Sequence, residues 1–315
     1  MRVGILEFRD NEFARSVAAG LSDLEPEFIR AGALRMPSPS PYRLIIDRVS
    51  FCDPFLRELM RCWSLNGAYV LNDPFYTLTS DKLSDLLVCD RLSIPRPRTV
   101  LLPRQNDAED VREMVAEPDW EAVAAEVSFP CILKPVDGYA WQDVFRIESP
   151  AELQARYLAL KSKRTLIVQE LVQYVEYYRA FCVGGRDVLL TAWTPRPLDA
   201  GVYAPVDRAA VGEAGAFIEA KTAELNTGLG LDFNSVEWCL TKDRLPVIID
   251  SYNDVPDVRK EKLPGPCYEW IVDRFCACVR GKLASGERNR GAALLEPSGT
   301  GSSRGAPSEA SPSGR

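Results

Sequence analysis

The chain contains no histidine, so any acid, base or nucleophile must come from lysine, arginine, carboxylates, amides or metal held by oxygen. Ser-His-Asp and Cys-His hydrolases and histidine-ligated zinc enzymes are excluded together. Three stretches place suitable groups where they can act. Lys134 ends the apolar run FPCILKPV and precedes a turn at Gly138. An ammonium on a core strand is costly without an anion, so it either reaches solvent from a sheet edge or contacts a phosphate. Glu237 interrupts SVEWCL, while Asp250 and Asn253 end LPVIIDSYN, and a β-hairpin through the turn TKDR would bring them together. Hard oxygen ligands without nitrogen or sulfur suit magnesium shared with phosphate; the other reading is a solvated hairpin face. In the third stretch, TLIVQELV, Glu170 is followed by Leu171 and Val172, a segment whose backbone can hydrogen-bond a purine edge.

The elements that must position these groups follow from periodicity. The start alternates strands and helices: RVGILEF, a helix over 12–21, YRLIIDRV, a helix over 54–65, and AYVLN. That order implies a small parallel α/β domain over residues 1–72. It lacks a GxGxxG loop. Asp47 and Arg48 end its strand LIIDRV, where parallel sheets present ligand contacts. Arg48 is therefore a candidate for a substrate carboxylate, with a surface ion pair as the alternative. Residues 73–173 read as a helix capped by Thr79 or Ser80, a strand near Arg98–Leu102, and the compact α+β run FPCILKPV, SPAELQARYLALKS, RTLIVQEL. Residues 174–284 read as strands at RAFCVGG and RDVLLTAW, a long helix over 209–226, the hairpin FNSVEWCL and LPVIIDSY, and a last helix. From Ser285 to Arg315 glycine, serine, proline and alanine dominate, and such a tail is expected to remain disordered.

Composition sets outer bounds. Of 315 residues, 46% are hydrophobic, enough for one large core or several small ones. No apolar run approaches the roughly 20 residues of a membrane span, and the acidic start breaks any signal-peptide core. A cytoplasmic protein is expected, without membrane partners. The formal net charge of −7 argues against a nucleic-acid partner. Nine cysteines, odd in number and without CxxC pairs, read as reduced core thiols.

Taken in order, NDPFYTLTSDKLSDLL, IPRPRT, FPCILKPVDG, LIVQEL, EYYRAFCVGG, SVEWCL and VIIDSYNDVP resemble the ATP-grasp superfamily over about residues 70 to 260. Within it the chain looks most like the branch of ribosomal-protein glutamate-adding ligases and glutathione synthetases. The resemblance implies a mixed α/β and α+β chain: a small parallel N-terminal domain, then two α+β subdomains that clasp ATP. It also implies an ADP-forming carboxylate-amine ligase that uses ATP and Mg2+, with Mn2+ as a substitute. Its substrates would be a small-molecule or peptide carboxylate and an amine; self-association is left open.

Residue by residue, the resemblance makes Lys82 and Lys134 the phosphate-holding lysines and Glu170, Leu171 and Val172 the adenine hinge. Glu176 falls near the ribose position, and Arg179 matches the arginine before F-x-V-x-G. Arg196 corresponds to an arginine near the transferred phosphoryl group, and Glu237, Asp250 and Asn253 to the metal ligands. Three features depart from the family pattern. The phosphate loop GYAWQDV has Gly138 alone, the Asp250 to Asn253 spacing is one residue longer, and Tyr177 stands where many relatives carry an acid. Two other functions stay open: an inactive nucleotide-binding regulatory protein, which these departures permit, and an ATP-grasp kinase of a hydroxyl substrate.

Overall fold

The computed structural model describes residues 2–33, 35, 38–76, 82–105, 113–138, 141–196 and 201–294. The chain opens with β1 (Val3–Leu6), α1 (Glu12–Gly20), β2 (Glu27–Phe28), β3 (Leu44–Asp47), α2 (Pro54–Leu65) and β4 (Tyr69–Leu71). The strands form a parallel sheet ordered β2-β1-β3-β4. β1, β3 and β4 are mainly apolar, buried runs, as expected where both faces of a parallel sheet are covered. Asn11 caps α1 by accepting from the Ala14 N–H at 3.0 Å. Asp53 caps α2 in the same way, with Pro54 in the first turn, where no amide is needed.

Helix α3 (Lys82–Arg91) leads through Ile94–Arg98 into a second unit: β5 (Thr99–Leu102), α4 (Trp120–Val127), β6 (Cys131–Pro135), β7 (Phe145–Ile147), α5 (Pro150–Leu160) and β8 (Leu166–Glu170). Its antiparallel sheet runs β5-β8-β6-β7. Both helices pack on one face and close a separate core around Val123, Leu133, Leu153, Tyr157 and Val168. The expected caps Thr79 and Ser80 lie outside the described residues.

The third unit holds β9 (Glu176–Val183), β10 (Asp187–Thr194), β11 (Val202–Ala204), α6 (Arg208–Val211), α7 (Glu213–Leu229), β12 (Phe233–Leu240), β13 (Pro246–Asp250) and α8 (Gly265–Ser285). Its sheet is ordered β11-β10-β9-β12-β13, antiparallel throughout. Helix α7 covers one face, where Ile218 and Leu225 meet Tyr178, Ala180 and Trp238. The Trp238 indole N–H there donates to Thr222 Oγ1 at 3.0 Å. Helix α8 covers part of the other face, with Ile271 and Phe275 against Phe181 and Phe233.

The first and third units share one core rather than two. Phe13 of α1 stacks on Phe233 with centroids 5.9 Å apart and meets Phe275 edge-on at 5.4 Å. Asn72 seals the seam: its Oδ1 accepts the N–H groups of Asp232 and Phe233 at 2.7 and 2.8 Å, and its Nδ2 donates to the Phe233 carbonyl at 2.8 Å. Residues of 1–72 and of 174–284 thus share one hydrophobic core and are together called the body, while the middle unit, called the lid, keeps its own core.

Residues 286–294, expected from composition to belong to a disordered tail, instead contact the body. A short helix α9 (Arg290–Leu294) follows α8, and Asn289 is 2% exposed between the body and α2. Asn289 Nδ2 donates to the Val70 carbonyl at 2.7 Å, and its Oδ1 accepts from the Val70 N–H and the Ser64 hydroxyl, both at 2.8 Å. These contacts replace the entropy argument made from composition, because one buried amide satisfies a strand edge. Residues 295–315 lie outside the described residues. Among the described residues no helix is long and apolar enough to cross a membrane.

Candidate active site

Successive strand residues face opposite sides of a sheet, so register decides which polar groups meet. On β12, Glu237 lies between Arg179 of β9 and Asp250 of β13. The hairpin register Trp238 to Ile248 would set Ile249 opposite Glu237. A bulge on β13 absorbs that extra residue and sets Asp250 there instead. The same face carries Tyr177 and Arg179 from β9, Thr191 and Trp193 from β10, Tyr203 from β11 and Ser235 from β12. Its other end, at Phe181, Val183 and Phe233, lies in the shared core. One half of the face is therefore apolar and covered, and the other half carries the charges.

Arg179 is the centre of that polar half. It forms an ion pair with Glu237, donates from Nη1 to the Tyr203 hydroxyl at 2.8 Å, and stacks over the Trp193 ring at 4.7 Å. Burial works against the Arg179 charge, yet Glu237 beside it holds the guanidinium above its ordinary value. The Tyr177 hydroxyl donates to the second Glu237 oxygen at 2.7 Å. Burial, reinforced by the Glu237 and Asp250 charges, pushes that phenol well up, so it stays a donor. Asn253 reaches the same neighbourhood through its backbone: its carbonyl accepts from the Ser235 N–H at 3.1 Å, and its N–H donates to Asn234 Oδ1 at 2.7 Å.

Between the lid and this sheet the chain crosses at Leu171–Val175, which forms neither helix nor strand. Glu170 closes β8 with an ion pair to Arg98 at 3.0 Å, and that hydrogen bond holds its carboxyl below the usual range. Leu171 and Val172 are half-buried. Glu176, which opens β9, pairs with Arg244 at 3.1 Å and accepts from the Tyr178 hydroxyl. Lys134 sits on β6 opposite Ile167, only 9% exposed, on the lid face away from the α4 and α5 core. The edge-strand reading that would carry it into solvent does not fit, because β6 lies between β7 and β8.

Two other residues singled out by sequence lie apart. Lys82 begins α3, and its side chain is outside the described residues; Arg196 is exposed just beyond β10. Arg48 is 8% exposed and turned into the core. It pairs with Glu7 at 3.1 Å, donates to the Pro256 carbonyl at 2.9 Å and lies 4.9 Å from the Phe13 ring. The surface position given as the alternative is corrected to a buried one, where these contacts tie the first unit to the third. Its neighbour Asp47 instead lines a small cleft with Ser50, Asn72 and Asp254. Burial holds the carboxyls of Asp47 and Asp254 above their usual range.

Sequence reasoning did not find Trp193, Tyr203 or the Arg244 contact. The one available signal was the alternation that puts Tyr177, Arg179 and Trp193 at odd positions along neighbouring strands.

No protein-family model matches the chain, and no curated protein matches it either. Solved structures do. A RimK domain ATP-grasp protein from Sphaerobacter thermophilus superposes with a TM-score of 0.62 at 18% identity, covering 89% of this chain and 100% of the other. The chain has the ATP-grasp fold. The macrocyclase MdnC from Microcystis aeruginosa, solved with its precursor peptide MdnA, gives a TM-score of 0.60 at 18% identity, with 89% and 100% covered. The D-alanine–D-alanine ligase of Bacillus anthracis, solved with ATP, gives 0.64 at 12% identity, with 90% and 98% covered. Within this fold the charged half of the β9–β13 sheet is the part of the body next to the crossing from the β5–β8 sheet.

Proposed function

We propose that the chain is an ATP-dependent carboxylate-amine ligase. The observation that carries this reading is the register that sets Glu237 between Arg179 and Asp250, one crossing away from the buried Lys134 on the lid. Such an arrangement suits phosphoryl transfer, where positioning and neutralisation of spreading charge supply most of the rate. No histidine is needed for it.

In this reading Lys82 and Lys134 hold the ATP phosphates. The crossing at Glu170, Leu171 and Val172 meets the adenine through its backbone, and Glu176 lies near the ribose. Glu237, Asp250 and Asn253 would hold magnesium, which would neutralise charge on the phosphate oxygens. Their hard oxygens fit that ion. Among the described residues no three histidine, cysteine or carboxylate side chains converge to hold a metal alone, so phosphate oxygens would complete the shell. Arg179 and Arg196 face the developing charge. A substrate carboxylate oxygen attacks the γ-phosphorus and ADP leaves; an amine nitrogen then attacks the acyl carbon and phosphate leaves. The solved relatives that bind a precursor peptide or ATP support a small or peptide substrate without choosing between them.

Because Arg179 and Tyr177 already engage Glu237, a nucleotide-binding protein without turnover is the second reading. Release of ADP separates the two. Under the ligase reading, ADP appears from Mg·ATP only when a carboxylate and an amine are both supplied, across a panel of amino acids and small acids. Lys134→Ala is expected to weaken Mg·ATP binding at least about tenfold, the loss of one charge-assisted contact, with thermal melting of the unliganded variant run alongside to show that it is folded. Normal Mg·ATP affinity in that variant would remove the phosphate assignment.

A further inference from the structure

Two N–H groups in the charged half of the face have no hydrogen-bond partner among the described residues: Arg179 Nε and Trp193 Nε1. Both are buried, and both belong to one stacked pair, the guanidinium lying 4.7 Å from the indole centroid. A buried N–H left unpaired is destabilising, and two side by side are a burden the sequence had simple means to avoid. Phenylalanine would provide the same aromatic face without the N–H.

The surroundings hold this pair in place rather than let it turn away. Tyr203 stacks on Trp193 at 5.0 Å and accepts from Arg179 Nη1 at 2.8 Å. The Gly201 backbone lies so close to the indole that an added Cβ would fall 1.7 Å from Trp193 Cη2. Thr191, opposite Arg179 on β10, donates to the Arg179 carbonyl at 2.9 Å. Glu237 answers the Arg179 charge directly. If a cation takes Glu237, the guanidinium loses its counter-ion while the aromatic groups keep it fixed.

We infer that Trp193 Nε1 and Arg179 Nε form a two-donor cradle for an oxyanion of the acceptor substrate or of the transferred phosphoryl group. The inference rests on the ligase reading and adds to it a substrate-binding role for Trp193. Glu237 repels an anion from this place until its own charge is neutralised, so the cradle fills after the magnesium nucleotide and not before it.

The test follows the indole N–H resonances of 15N-tryptophan-labelled protein, that of Trp193 being the one missing from Trp193→Phe. Protein saturated with Mg·ADP is titrated with orthophosphate and, separately, with acetate, at constant ionic strength set by chloride. A downfield shift of the Trp193 resonance with phosphate marks the phosphoryl position, and with acetate the carboxylate position; either supports the cradle. Trp193→Phe should bind the active anion about tenfold more weakly, as expected for one hydrogen bond to a charged group, with Mg·ADP affinity retained. Gly201→Ala, which displaces the ring, should do the same and serves if Trp193→Phe does not fold. A Trp193 resonance indifferent to both anions, with Mg·ADP bound, overturns the cradle and leaves the nucleotide reading standing. If calorimetry detects no Mg·ADP binding, the ligase reading fails instead, and the cradle, which rests on it, is overturned with it.

Discussion

A guanidinium packed against a phenyl ring is costly unless its charge is answered; Arg48 pairs through Nε with Glu7 and through Nη2 with the Pro256 carbonyl, while its Nη1 has no hydrogen-bond partner among the described residues. Both members of the ion pair are nearly sealed, with side chains 7% and 5% exposed. Removing one leaves the other buried without compensation, so Arg48→Ala is expected to lower unfolding free energy by about 3–5 kcal/mol in a denaturant titration. Arg48→Met combined with Glu7→Gln should recover most of that loss, because two neutral groups of similar volume avoid the stranded carboxylate. A fully stable Arg48→Ala would show that the contact does not join the two units. Asp47, one residue earlier, takes the place at the cleft that the strand-end argument gave to Arg48. The argument identified the right end of the right strand, and alternation then turned one of the two neighbours inward.

At the scale of elements, the long strands and helices were legible because each carries a full period or more of apolar patterning. Two-residue β2, three-residue β11 and five-residue α9 carry too little pattern to read. β11 matters most, since it brings Tyr203 beside Trp193 through a pairing that no hairpin signal announces. The bulge on β13 was equally silent: strict alternation from the turn at TKDR pairs Glu237 with an isoleucine. Helix α7 shows the opposite case, where a readable helix is seated by a single large residue. Trp238 is fully buried beneath it and bonded to Thr222. Trp238→Ala should destabilise the protein by about 3–5 kcal/mol, the usual range for emptying a large aromatic site. Chemical denaturation measures it, and a loss below 1 kcal/mol would mean that α7 is held from elsewhere.

At the scale of the whole molecule, the body is closed by a segment that composition assigned to the tail. Asn289 answers both backbone groups of Val70 and the Ser64 hydroxyl, and Gly291 donates to Asp73 at 2.9 Å. A chain ended after Ser285 should therefore melt several degrees below one ended after Leu294, a shift matching roughly 1–3 kcal/mol for buried groups left unpaired. Equal melting temperatures would return residues 286–294 to the tail. The lid presents the reverse situation. Its first and last strands pair with each other, Thr99 opposite Gln169, and the Glu170 N–H donates to the Arg98 carbonyl at 2.9 Å. The chain thus leaves the body and returns to it at neighbouring points, which makes the lid an insertion in a body that is already continuous without it. Excising residues 99–169 and joining the stumps with a short glycine-serine bridge closes a gap of one strand spacing, at little loop entropy. That shortened chain is expected to fold as a cooperative body in circular dichroism and thermal melting; an aggregated or unfolded product would show that the body needs its lid to assemble.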